Sequence, residues 1–177
     1  MAEVAAVEEV KEVTKVKEPM LRVWDMTRVD EVAIFGKLIE KQPELWDDTA
    51  MQNQLATFQQ LYLNPNSMVF EIGDRAGMIA VVQVMPGFRG SIMVAAWKPE
   101  AMRVPELWKR AIRATMVSRD LLYVDGLIAE DNEVSKNAAE TVGFEFRGKL
   151  LRSSYYNGEP KYLNWYTLTR EAAGLED

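Results

Sequence analysis

Four stretches of this chain place residues where they could do chemistry. The chain contains neither histidine nor cysteine. Imidazole bases, thiolate nucleophiles, disulfides and the usual zinc ligands are therefore all excluded, and no metal site is expected. Catalysis is left to carboxylates, tyrosines, lysines, serines and backbone N–H groups. The most patterned stretch is Asn132-Glu-Val-Ser135-Lys-Asn-Ala-Ala-Glu140-Thr-Val-Gly143-Phe144. Asn132 is placed to cap a helix, Ser135 and Ala138 keep one face of it small, and Gly143 turns the chain into an apolar Phe144. A second stretch, Lys98-Pro-Glu-Ala-Met-Arg103-Val-Pro105, sets two cations beside a helix start. They are either ligands for an anion or solvated surface charge. Glu71 lies on an alternating strand, where it is either a proton acceptor or simply the exposed face. Tyr155 and Tyr156 sit on a later strand, where aromatics serve packing more often than proton transfer.

These residues are positioned by elements that can be read from periodicity. Residues 2–19 mix Glu and Lys with Val4, Val7, Val10, Val13 and Val16 and end at Pro19. A spacing of three drifts around a helix, so this is a charged tail or a helix that docks on a partner, distinct from a domain over 20–172 and a short tail at 173–177. Leu21–Trp24 reads as a strand. Two helices follow, over 30–41 with Val32, Ile34, Phe35, Leu38 and Ile39 on one face, and from Asp47-Asp48 through Met51, Leu55, Phe58, Leu61 and Tyr62 to a stop at Asn64-Pro65. Strands over 67–72, 77–84 and 91–97, parted by Gly73-Asp74 and Pro86-Gly87, predict an antiparallel meander. Then come a helix over 105–119, a buried strand over 121–129, a helix over 133–141, and a hairpin of 144–156 with 162–169 across Asn157-Gly158. The order is β-α-α-β-β-β-α-β-α-β-β, with helices on both faces of one mixed sheet.

Composition bounds the partners. A chain of 177 residues with 48% hydrophobic content suits one domain. Its 27 acidic and 21 basic residues leave a net charge of −6, which repels a nucleic-acid backbone. The charged N-terminus and the lack of a long apolar run predict neither signal peptide nor membrane span, hence a cytoplasmic protein.

The element order and the Asn132–Phe144 stretch resemble the GNAT superfamily of N-acetyltransferases, whose curved, mostly antiparallel α/β sheet splays between its fourth and fifth strands. The stretch is similar to that family's Asn-x-x-Ser/Ala-x(4)-Glu-x-x-Gly-Phe pattern. Gly148, Asn157-Gly158, Tyr166, Leu168 and Arg170 continue the likeness toward the branch that acetylates ribosomal-protein N-termini. The resemblance implies acetyl transfer from acetyl-CoA to an amine, with the pantetheine arm beside Val94, Ala95, Ala96 and Trp97. It further implies that Asn132 reaches the substrate and cofactor region and that Ser135 lies along the arm. Glu71 is then the candidate general base for the amine, and Tyr155 or Tyr156 the candidate acid, because the position at which many members carry an acidic tyrosine is Ala139 here.

The family's Gln/Arg-x-x-Gly-x-Gly/Ala loop, whose backbone N–H groups cradle the CoA pyrophosphate, corresponds to Lys98–Pro105, which has no glycine. Lys98 and Arg103 are the side chains available to replace it. GNAT-like proteins without this loop occur among tailed bacteriophages as head-assembly or internal virion proteins. The resemblance therefore leaves a second reading open: a catalytically degenerate, virion-associated scaffold that binds protein partners, with Trp97 and Trp108 as either contact or core aromatics.

Overall fold

The computed structural model describes residues 20–40, 54–156 and 158–175. In chain order the elements are β1 (Leu21–Val23), α1 (Val29–Ile39), α2 (Gln54–Tyr62), β2 (Met68–Ile72), β3 (Gly77–Met85), β4 (Arg89–Ala96), a 3-10 turn (Pro99–Arg103), α3 (Pro105–Ser118), β5 (Tyr123–Ala129), α4 (Glu133–Val142), β6 (Glu145–Tyr156) and β7 (Glu159–Thr169). Among the described residues the expected order is observed, with the 3-10 turn added. The N-terminal valine tail and the acidic start expected for the second helix lie outside the described residues.

One seven-stranded sheet runs β1-β2-β3-β4-β5-β7-β6. Every neighbouring pair is antiparallel except β4 and β5, which are parallel because α3 carries the chain back between them. The sheet is covered on both sides. On one side Phe70, Ile72, Ile79, Val81, Val124 and Leu168 pack with Trp108, Ala111, Ile112 and Met116 of α3 and Val142 of α4. On the other, Val69, Met78, Ala80, Val82 and Ala95 pack with Trp24 and Tyr62, and Val32 and Ile34 of α1 lie against them. Double coverage explains why β3 reads as the continuous apolar run Met78-Ile-Ala-Val-Val82 instead of alternating: all five residues are buried.

Short-range chemistry sets the ends of the helices that flank the opening. Asn132 accepts a hydrogen bond from the Ser135 N–H at 3.0 Å and so caps α4. Gly143 ends it at φ +108°, donating to the Ala139 and Glu140 carbonyls. Pro105 occupies the first turn of α3, where a missing N–H costs nothing.

Candidate functional site

The site is built around the place where β4 and β5 part. They pair over only three positions, Arg89 with Tyr123, Gly90 with Val124 and Ser91 with Asp125. Beyond Ser91, β4 stays with β3 as far as Ala96, while β5 stays with β7 as far as Ala129. The two strands therefore diverge and leave a wedge open toward their C-terminal ends. Its apex is packed by Ile92, which occupies the room left by Gly126: a Cβ on Gly126 would come within 2.9 Å of Ile92 Cγ2.

On the opposite face the apex is tied by polar groups. Ser91 Oγ donates to Asp125 Oδ1 at 2.6 Å and Arg89 Nη1 donates to Asp125 Oδ2 at 3.0 Å. Sequence reasoning passed over this triad. Its one signal was a lone acid inside the otherwise apolar run Leu121–Ala129.

Of the expected arm-binding residues, Val94 and Ala96 pack on the side of the sheet that carries α3 and α4, together with Ile128, Ala138 and Ala139. Ala95 is buried on the other side and Trp97 lies against that second core. On the side of the sheet that carries α3 and α4, a cleft of about 380 Å³ lies between the start of α3 and α4, lined by Met102, Pro105 and Trp108 on one wall and Val134, Asn137 and Thr141 on the other.

The connection from β4 to α3 folds inward. Ala101 is buried, and its carbonyl accepts from Trp108 Nε1 at 2.9 Å. Gly77 permits this approach, since a Cβ there would lie 2.7 Å from both the Ala101 Cβ and the Ala95 carbonyl oxygen. The Ala101 N–H is used on the Lys98 carbonyl, and those of Leu107 and Trp108 on the Val104 carbonyl. Pro99 and Pro105 have none to give. Within Lys98–Pro105, then, two positions have no donor, and the Lys98 and Ala101 N–H groups are used on the Ala76 and Lys98 carbonyls, which leaves fewer to converge on a pyrophosphate. Of the two cations, Lys98 Nζ donates to the Asp74 carbonyl at 3.1 Å, and Arg103 is exposed without a hydrogen bond or ion pair among the described residues. Glu100 and Glu106 stand in the same first turns.

The remaining expected residues are scattered. Asn132 stands just beyond the end of β5, with its side-chain oxygen committed to the α4 cap, and Ser135 is half-buried in the first turn. Glu71 is buried on β2, two strands from β4, where Oε2 accepts from Arg22 Nη2 at 2.8 Å and Oε1 from the Arg75 N–H at 3.1 Å. Arg22 also reaches Glu31 in the first turn of α1 at 2.7 Å. Tyr155 is exposed and pairs with Pro160, and Tyr156 with Glu159, near the tip of the β6–β7 hairpin and beyond the last β5–β7 pair at Ala129 and Leu163. Trp108 is 5% exposed, which assigns it to the core.

No protein-family model and no curated protein sequence matches this chain. Solved structures do. Spermidine N-acetyltransferase SpeG from Vibrio cholerae, in complex with CoA and spermine, is similar at a TM-score of 0.67 and 12% identity, over 88% of this chain and 98% of that one. A chimera of the same enzyme with hSSAT gives 0.65 and 14%, over 90% and 100%. A protein described as a probable acetyltransferase gives 0.66 and 19%, over 88% and 94%. At such identities the likeness is one of fold. The chain has the GNAT acetyltransferase fold, and these three structures are described as those of acetyltransferases or a probable one.

Proposed function

We propose that this chain is an acyltransferase that moves an acetyl group from a pantetheine thioester, with acetyl-CoA as the reference donor, to an amine. The observation that carries the reading is the β4–β5 wedge: three paired positions, a glycine at the apex, and apolar Val94, Ala96 and Ile128 beyond it on the side of the sheet that carries the α3–α4 cleft. An extended arm lying along β4 would find the backbone edge that β5 abandons. Two of the similar structures are of enzymes whose names specify spermidine as acceptor, and the chain's net charge of −6 suits a polycationic amine.

In this reading the protein contributes position. The amine attacks the thioester carbonyl, a C–N bond forms, the C–S bond breaks, and the amine proton passes to solvent as the thiolate is protonated from solvent. Holding amine and thioester together supplies much of the acceleration without a covalent intermediate. No tyrosine stands at Ala139, Glu71 is held in an ion pair two strands away, and Tyr155 and Tyr156 lie near the hairpin tip. Solvent-mediated proton transfer is thus the form of the reaction these residues favour.

The inward fold of Lys98–Pro105 favours a second reading, in which the fold is retained as a scaffold that binds other proteins, in a virion or elsewhere. Calorimetric titration with acetyl-CoA, alongside an acetyl-transfer assay on spermidine and spermine, separates the two. Transfer above the uncatalysed rate supports the enzyme. Absence of both binding and transfer with every pantetheine thioester offered leaves the scaffold.

A further inference from the structure

The wedge has a second face. Side chains alternate along a strand, so while Val94, Ala96 and Ile128 point to the side of the sheet that carries α3 and α4, Met93, Leu127 and Ala129 point to the other. On that other side the described residues of α1 and α2 pack over β2, β3 and β4, and no residue of β5, β6 or β7 belongs to their core. The surface that β5, β7 and β6 present there is built in cross-strand rows. The row at the wedge apex is polar, Asp125 with Thr167 and Glu145, and its acids are held by Arg89 and Arg147. The next two rows, toward the opening, are Leu127 with Trp165 and Gly148, then Ala129 with Leu163 and Leu150. Leu127 is 52% exposed, Leu150 39%, and Trp165 is half-buried. Nothing lies within 4 Å of where a Cβ on Gly148 would stand. Neither row carries a charge. Past the end of β5, Glu130 and Asp131 form ion pairs with Lys149 and Lys161.

From this we infer that the acceptor is a primary monoamine on an aromatic body, an arylalkylamine whose ring lies on the Leu127–Trp165 surface with its nitrogen in the wedge, and not a polyamine. The inference rests on the acyltransferase reading and narrows its acceptor. The donor arm comes to the wedge from the α3–α4 side, so the amine reaches the thioester carbonyl from the other. What it meets there is continuous with the wedge wall, since Leu127 and Ala129 belong to the part of β5 that has left β4. An exposed leucine beside a half-buried indole takes an aromatic ring by buried area and by ring–ring contact. A polyamine asks for a carboxylate at each further ammonium, and the four that flank this surface among the described residues are already paired. The net charge of −6 draws in any cation from a distance and does not choose among them. Leaving water for an apolar wall also favours the neutral amine over the ammonium, which supplies the nucleophile without a side chain acting as base. The reaction balances as before: acetyl thioester plus arylalkylamine gives N-acetyl amide plus thiol, the amine proton leaving to solvent and the thiolate taking one from it.

The test measures acetyl transfer by the full chain to phenethylamine, ethylamine and spermidine, from acetyl-CoA and in parallel from millimolar acetyl-pantetheine. For phenethylamine, kcat/KM should exceed the other two by about tenfold or more, with the gain in KM. Leu127→Glu, at an exposed position, should bring the ratio of phenethylamine to ethylamine toward one. Leu127→Ala should lower it to a lesser degree, and circular dichroism checks that both variants fold. Spermidine used as well as phenethylamine, or a ratio that neither folded variant changes, overturns the inference and leaves the acyltransferase reading standing. So does a dimer in sedimentation that Leu127→Glu dissociates, since a second copy then covers this surface. If no amine is acetylated from either donor, the acyltransferase reading falls and the inference falls with it.

Discussion

At the scale of single residues, two glycines hold the geometry for different reasons. Gly143 sits at φ +108°, a conformation that an L side chain adopts only under strain. The space around it is ordinary, the nearest atoms to a Cβ being Leu168 Cδ1 at 3.6 Å and the Ala172 carbonyl oxygen at 3.7 Å. Gly143→Val should therefore cost about 1–3 kcal/mol through backbone strain, read as a lower urea midpoint at unchanged slope. A variant as stable as the parent would show that the chain leaves α4 without using that conformation. Gly77 has ordinary φ but no room, because the 3-10 turn and β4 press on it. The Gly143 requirement was legible from the helix-stop pattern. The Gly77 requirement was not, since the atoms that crowd it are about twenty residues away. Glu71 shows the same limit: strand alternation suggested an exposed acid, and the structure buries it because β1 brings Arg22 alongside.

At the scale of elements, the turn before α3 decides how a nucleotide would be met. Sequence identified its lack of glycine and the proline at the first position of α3, but not the 3-10 turn, whose shape depends on Trp108 seven residues away and on Gly77 in another strand. Trp108→Phe keeps the apolar ring and removes the donor. It should leave the Ala101 carbonyl buried and unpaired, lowering stability by about 1–3 kcal/mol and raising amide exchange in residues 99–104 above that of the sheet. Uniform protection there would detach the turn from Trp108. The same turn predicts weak CoA binding. If Lys98 and Arg103 hold phosphate, replacing both with alanine should weaken acetyl-CoA binding about tenfold and abolish its salt dependence. Tight binding that survives the double replacement would refute the assignment of an inward-folded turn. The wedge itself was anticipated by resemblance. What the residues alone could not supply was the parallel β4–β5 register, because strand pairing across a crossover helix leaves no periodic trace in sequence.

At the scale of the whole molecule, the absence of histidine and cysteine becomes a measurable property. Side chains titrating between about pH 5 and 9 are normally of those two types, so stability should form a flat plateau across that range. The acid edge is set by carboxylates held below their ordinary range: Glu31 chiefly by its hydrogen bond from Arg22, Asp30 by Arg28, Asp25 by Thr27 and Asp131 by Lys161. A depressed folded pKa means the unfolded chain binds protons first. Their stabilisation is therefore complete above about pH 4 to 5 and lost as pH falls through the folded values. The alkaline edge has the opposite sign. Burial pushes the hydroxyls of Tyr62 and Tyr166 upward, so their contribution is complete below about pH 10 and declines above it. Thermal melts from pH 2.5 to 11 should show a level centre between two falling limbs, and Glu31→Gln should make the acid limb shallower. A slope of melting temperature between pH 6 and 8 would mean that a carboxylate or amine in the core titrates near neutrality. That outcome would reopen the search for a general base.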